Sequence, residues 1–195
     1  MKRSGLALVT AMASATPAFA QTYTGPRAEV HLGWDSLAVP DQTGTTTARS
    51  PSSRLLYGAG LGYDVGLGSN FVVGLDTNFD LGGATRCSGP VLTPTDSLCG
   101  KMVRDWDVGA RLGLKTGLGL FYGRVAYDNS LVRSRYLPGD GTSTVASNDA
   151  GGVRLAAGAE VPLGKISYLK AEYRYTTSDS IPDQHQLLVG IGVRF

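Results

Sequence analysis

The chain has 195 residues, with 18 Lys+Arg against 16 Asp+Glu, 27 Gly, 2 Cys and 2 His. That length holds one domain or two small ones. A net charge of +2 leaves no electrostatic footprint for nucleic acid, and two Cys with two His cannot build a zinc-finger array or a disulfide-dense scaffold. Beyond the first twenty positions no run of about 18 apolar residues occurs, so no helix of this sequence can cross a bilayer.

Residues 1–20 read as a secretory signal peptide. Met1-Lys2-Arg3 is a short basic start, Leu6 to Ala15 is apolar, and Ala18-Phe19-Ala20 fits the small-x-small cleavage rule. Cleavage after Ala20 leaves residues 21–195 with 16 basic and 16 acidic side chains. The alternative is a short N-terminal helix or anchor, against which Pro17 counts.

From Arg27 the hydropathy alternates with period two, which marks a strand with one apolar and one polar face. The same alternation recurs through Arg27–Asp35, Leu55–Val65, Phe71–Asp80, Asp105–Lys115, Phe121–Asp128, Val153–Val161, Leu169–Tyr175 and Gln186–Phe195. Eight such segments are what a small transmembrane barrel requires. Three connections are short: Gly66–Asn70, Thr116-Gly117 and Pro162–Lys165. Three others, 37–54, 82–103 and 133–151, are long and rich in Thr, Ser, Asp, Gly and Pro, and a shorter polar link lies near Ser178–Asp183. Short turns on one side and long loops on the other predict both termini on the short-turn, periplasmic side. Cys87 and Cys99 fall in the second long link. An exported chain predicts one loop disulfide between them; two free thiols are the alternative, and a metal site has no further ligand nearby.

The polar face carries Arg27, Glu29, Asp76, Arg111, Arg124, Arg154, Glu160, Lys170, Glu172 and Arg194, and the apolar face is nearly free of charge. A charge facing lipid costs about 2–4 kcal/mol at the bilayer midplane, so the charged face is expected to turn inward as a lumen network. Trp34, Tyr57, Phe79, Trp106, Tyr127 and Tyr175 fall near loop-side strand ends, and Tyr63, Phe71, Phe121 and Phe195 near turn-side ends. All ten share the apolar parity and predict two interfacial girdles. A soluble sandwich or lipocalin-like barrel would instead place these charges outside or in an apolar interior. Gly58, Gly60, Gly62, Gly74, Gly109, Gly113, Gly158, Gly190 and Gly192 share the polar parity and are read as space for long charged side chains inside a narrow barrel.

The segment Leu169-Lys170-Ala171-Glu172-Tyr173-Arg174-Tyr175, followed by a polar loop and a last strand ending Val193-Arg194-Phe195, resembles the closing hairpin of small outer-membrane β-barrel proteins. These are the opacity-type porins and the barrel domain of outer-membrane protein A, with alphaproteobacterial surface proteins among those sharing the ending. The resemblance implies an all-β, eight-stranded antiparallel up-and-down barrel in the bacterial outer membrane. It also implies contact with outer-membrane lipid and lipopolysaccharide, and passage through periplasmic chaperones and the barrel-assembly machinery. Phe195 would be part of the assembly signal, besides being a girdle aromatic.

Catalytic signatures are not found: there is no Gly-x-Ser-x-Gly elbow, no His-Glu-x-x-His and no phosphate-binding Gly-Lys-Ser/Thr loop. His31 is read as a lumen hydrogen-bond partner, and His185 has no Ser two residues on. Asp105 and Asp107 share a face and are read as a solvated lumen pair rather than a cation site. The expectation is therefore a non-enzymatic barrel without cofactor or metal, with a structural envelope role and surface display of extracellular ligand sites on its loops. A narrow channel for ions or small solutes is the main alternative, and a lipid-modifying enzyme the minor one.

Overall fold

The computed structural model describes residues 23–37, 54–82, 85–88, 97–138, 142–178 and 183–195. The expected signal peptide 1–20, the expected cleavage after Ala20 and most of the 37–54 link lie outside the described residues. Among the described residues nine strands form: β1 (Gly25–Leu37), β2 (Arg54–Leu67), β3 (Phe71–Gly82), β4 (Thr85–Ser88), β5 (Ser97–Thr116), β6 (Gly119–Leu137), β7 (Thr144–Pro162), β8 (Ser167–Thr177) and β9 (Gln184–Arg194).

Every neighbouring pair is antiparallel. The order runs β1-β2-β3-β5-β6-β7-β8-β9, and β9 pairs back onto β1 from Arg27↔Arg194 to Leu37↔Gln184. The wall is thus a closed eight-stranded barrel, which leaves no strand edge to satisfy in lipid. β4 is a ninth, four-residue strand on the far end of β5, outside the closed wall.

Alternation becomes burial. Along β8 and β9 alternate side chains are buried and exposed, as they are on β3 and along the first part of β6. The exposed set is apolar: Val30, Leu32, Leu61, Leu75, Leu112, Val125, Leu155, Val189 and Ile191 are each about half exposed or more. The interior is polar, so the molecule is inside-out relative to a soluble barrel, and a lipid bilayer is the surrounding its surface fits.

Two turns depend on glycine. Gly68, at φ +61°, opens the turn between β2 and β3, and Gly119, at φ +145°, opens β6. A Cβ on Gly119 would run into the Glu160 carbonyl oxygen. The Lys115 amide donates to the Asn70 carbonyl at 2.7 Å, tying two neighbouring turns together.

The long links differ from the loops the composition suggests. Residues 85–88 pair antiparallel with 98–101, and β6 and β7 continue pairing up to Tyr136↔Thr144. Strands β5, β6 and β7 reach 20, 19 and 19 residues, about twice the 9–11 needed to cross a bilayer. The Thr, Ser and Asp of these stretches solvate a sheet that stands above the barrel on one side. Polar composition distinguishes water from lipid, not loop from strand.

Candidate functional site: the ion-paired lumen

All ten charged residues singled out in the sequence are buried in the lumen. Asp64, Asp80, Asp105, Asp107, Asp128 and Arg174 join them. Their strand parity is the same, so reading every ionisable residue by parity finds them too.

The turn-side layer is a ring of alternating charge. Asp64 on β2 accepts from Arg111 on β5 at 2.6 and 3.0 Å. Arg111 also pairs with Glu160 on β7, Glu160 accepts from Arg194 on β9 at 2.8 Å, and Arg194 closes back on Asp64 at 3.0 Å. The four members sit on every second strand, so the ring ties the wall together across the axis rather than along it. Arg27 lies 3.4 Å from Asp64 and links this layer to the next. Tyr23 covers the ring from below, with the Arg194 guanidinium 5.1 Å from its ring centre, and burial pushes its phenol pKa up.

The middle layer centres on Glu29, Asp76, Arg124, Lys170 and Glu172. Arg27 reaches Asp76 at 2.5 Å and Glu29 at 3.1 Å. Arg124 holds Asp76 at 2.5 Å and also pairs with Asp107. Lys170 pairs with Glu29 and lies 3.4 Å from Glu172. Two phenols complete the layer: Tyr122 donates to Glu172 at 2.6 Å and Tyr168 to Glu29 at 3.0 Å.

Toward the loop side, Arg154 gathers three carboxylates, Asp128 at 2.5 Å and Asp105 and Asp107 at 2.6 Å each, and donates to Thr176 at 2.8 Å. Asp105 and Asp107 are 1% and 0% exposed, so they are buried partners of Arg154 and not the solvated pair their spacing suggested. Arg174 joins Glu172 at 2.5 Å to Asp80 at 2.7 Å, and the His31 Nε2 also contacts Asp80. Above this, Leu56 and Leu188 flank Gly33 in the register and form a small apolar layer. At the turn side Val72 stands opposite Gly113 in the register, and the buried Leu120 side chain lies where a Cβ on Gly113 would point.

The inward glycines face these groups. A Cβ on Gly62 would lie 2.8 Å from the Arg27 guanidinium, one on Gly60 2.5 Å from the Asn78 amide oxygen, and one on Gly158 2.5 Å from Tyr122. Gly192 bears the same relation to Tyr168. The room is needed by aromatic as well as charged side chains.

The girdle residues face outward. Trp34, Tyr57, Phe79 and Tyr127 are exposed at the loop side, and Tyr63, Phe71, Phe121 and Phe195 at the turn side. Trp106 and Tyr127 meet edge-on with centroids 6.3 Å apart. The Phe195 amide donates to the Pro26 carbonyl at 2.9 Å, so the last residue is tied into the closing seam while its ring stays outside. Cys87 stands directly opposite Cys99 in the β4–β5 register. His185 faces outward, shares a 2.6 Å hydrogen bond between Nδ1 and the Tyr173 hydroxyl, and lies against the Tyr175 ring.

Among solved structures, the attachment invasion locus protein Ail of Yersinia pestis is similar at 14% identity, covering 89% of this chain and 100% of that one, with a TM-score of 0.55. Ail in complex with the heparin analogue sucrose octasulfate is similar at 13% identity over 89% of this chain and 100% of that one, with a TM-score of 0.58. Neisserial surface protein A matches at 13% identity over 88% of this chain and 98% of that one, with a TM-score of 0.48. Identities this low speak to fold. No curated protein matches the chain. The family model described as "Outer membrane protein beta-barrel domain" matches residues 5–195. With a closed barrel, an apolar exterior and an ion-paired lumen already in view, the chain belongs to the outer-membrane β-barrel domain family, whose place is the bacterial outer membrane.

Proposed function

We propose that this barrel is a structural, non-enzymatic component of the outer membrane that displays the β4–β7 sheet at the cell surface. The carrying observation is the lumen. Its charges are joined strand to strand at three heights, from the Asp64–Arg111–Glu160–Arg194 ring to the Arg154 cluster, so the interior serves as a brace. Eight strands enclose side chains and little else. The leader 1–20 is cleaved after Ala20, chaperones and the barrel-assembly machinery receive the unfolded chain, and Phe195 contributes to its recognition. Extracellular ligands meet the sheet and its connecting loops.

A narrow channel is the reading to test against. Ten lumen carboxylates (Glu29, Asp35, Asp64, Asp76, Asp80, Asp105, Asp107, Asp128, Glu160, Glu172) face seven Arg and Lys (Arg27, Arg111, Arg124, Arg154, Lys170, Arg174, Arg194). An opened lumen would therefore select cations. The deciding experiment is conductance of the refolded, heat-modifiable protein in a planar bilayer. Silence from a folded barrel supports the brace. Reproducible cation-selective steps, lost on substituting lumen carboxylates, would move the assignment to a pore.

A further inference from the structure

We infer that Tyr173, Tyr175, His185 and Asp183, on the outward face of the β8–β9 hairpin, bind a ferric ion at the loop-side rim of the barrel.

Register brings the four together. Tyr175 stands directly opposite His185. Tyr173 lies two residues toward the turn side on β8, and Asp183 two residues toward the loop side of His185, both on the same parity. Two donor pairs are formed within the set. The Tyr173 hydroxyl and His185 Nδ1 are 2.6 Å apart, and the Tyr175 hydroxyl donates to Asp183 Oδ2 at 2.9 Å. The His185 ring links the pairs, with its centroid 6.1 Å from that of Tyr173 and 5.2 Å from that of Tyr175. Neighbouring donors on a small octahedral cation, at bonds of ~2.0–2.1 Å, stand about 2.9 Å apart. Each pair therefore has close to the spacing of adjacent ligands, with a proton where the metal would be. Exposed side chains reorient within nanoseconds, so the two pairs converge on one ion with no change of backbone.

Donor chemistry names the ion. Two phenols, a carboxylate and an imidazole offer three hard oxygens and one nitrogen, and both imidazole and tyrosinate are iron ligands. A phenol keeps its proton at neutral pH in water, so only a strongly polarising cation displaces two of them. A trivalent ion does this far better than a divalent one, and binding releases the two phenol protons to water. No cation of the protein competes for these donors in the register: the strand neighbours of Tyr173, Tyr175 and His185 are Ala157, Leu187, Leu155 and Ser36. In the lumen, by contrast, arginines hold Asp107 and Glu172. Asp183 belongs to the polar link 178–183 and Tyr175 to the loop-side girdle, so the donors stand at the water boundary and a bound ion is not driven into hydrocarbon. Sequence signatures for metals are built on His, Cys and acids, so a set that is half phenol carried no such signal.

The test uses the refolded full chain and its variants in detergent, each checked for the heat-modifiable gel shift, with ferric nitrilotriacetate as the probe. The unaltered chain should take up iron in equimolar amount and show a phenolate-to-iron charge-transfer band in the visible spectrum. Tyr173→Phe and Tyr175→Phe should each weaken the band, and the double variant should lose it. His185→Gln keeps both phenols, so the band should persist while ferric affinity falls by at least about tenfold. Tyr57 and Tyr127 are exposed girdle phenols elsewhere on the wall, and Tyr57→Phe/Tyr127→Phe should leave band and affinity unchanged. Absence of the band from the folded, unaltered chain overturns the inference. So does a band that survives in folded Tyr173→Phe/Tyr175→Phe, or one lost equally in Tyr57→Phe/Tyr127→Phe. If equimolar zinc displaces the iron, the site takes divalent ions and the ferric assignment fails.

Discussion

Arg174 on β8 reaches Asp80 on β3 at 2.7 Å, across the full width of the barrel. Three strands separate β3 from β8 whichever way the wall is followed. The contact therefore joins residues that no sheet hydrogen bond relates, and both side chains are almost wholly buried. Removing one partner of a buried pair leaves an uncompensated charge, at a cost of about 3–5 kcal/mol. Arg174→Met should lower the heat-unfolding temperature of the detergent-folded barrel by a margin of that order. Because Arg174 also holds Glu172, the double variant with Asp80→Asn recovers only part of the loss. Full stability in Arg174→Met would show that the lumen network does not brace the wall.

Arg154 gives a second, separable case. It holds Asp105, Asp107 and Asp128 together, three carboxylates within 2.6 Å of one guanidinium. Arg154→Met should cost about 3–5 kcal/mol, since the acids then repel one another in a buried site. Adding Asp105→Asn and Asp128→Asn should restore much of the stability, leaving Asp107 to Arg124. Urea unfolding followed by tryptophan emission reads both steps. Failure of the two asparagines to rescue would mean that Arg154 acts by packing rather than by charge.

Gly158 faces Tyr122 so closely that a Cβ would lie 2.5 Å from the phenol and 2.8 Å from the Ala171 carbonyl oxygen. The backbone oxygen cannot move freely, so Gly158→Ala should destabilise by roughly 1–3 kcal/mol through overpacking. Gly123 is the control: it faces outward, and a Cβ there meets nothing within 4 Å. Gly123→Ala should leave unfolding unchanged within error. Equal effects of the two substitutions would refute the account of glycine as lumen space.

The barrel was legible in the sequence because strand parity maps residue number onto face with no intermediate step. Arg27, Glu160 and Arg194 could be assigned to the interior from position alone. Their partners could not, because Arg194 lies 130 positions from Asp64 and the ring exists only once β9 closes on β1. Tyr122 and Tyr168 have the inward parity, but two phenols within a charge network become intelligible only beside Glu172 and Glu29. The extension of β5–β7 was hidden for a different reason. Above the membrane both faces of a sheet are wet, so the apolar–polar alternation fades although pairing continues to Tyr136↔Thr144. The β-bulge between Met102 and Arg104 further shifts the parity of β5 there.

The cysteines provide the last prediction, because they sit in that extension and not in the barrel wall. Cys87 opposes Cys99 in a four-residue ladder from Thr85↔Lys101 to Ser88↔Leu98. Four residue pairs on one side of β5 are little to hold a strand that joins no closed sheet, and an isolated hairpin is marginal in water. A disulfide across the ladder closes a loop of about a dozen residues, worth roughly 3 kcal/mol in the chain-entropy model. That stabilisation should be local, since stability differs between cooperative units. Reduction, or Cys87→Ser with Cys99→Ser, should speed protease cleavage within 85–103 at least tenfold. The heat-unfolding temperature of the barrel should not change. If cleavage of this segment is indifferent to reductant, the two thiols are not joined, and β4 is held by its backbone pairing alone. If the barrel itself loses stability, the extension and the wall unfold as one unit, and the surface sheet is part of the brace rather than a platform standing on it.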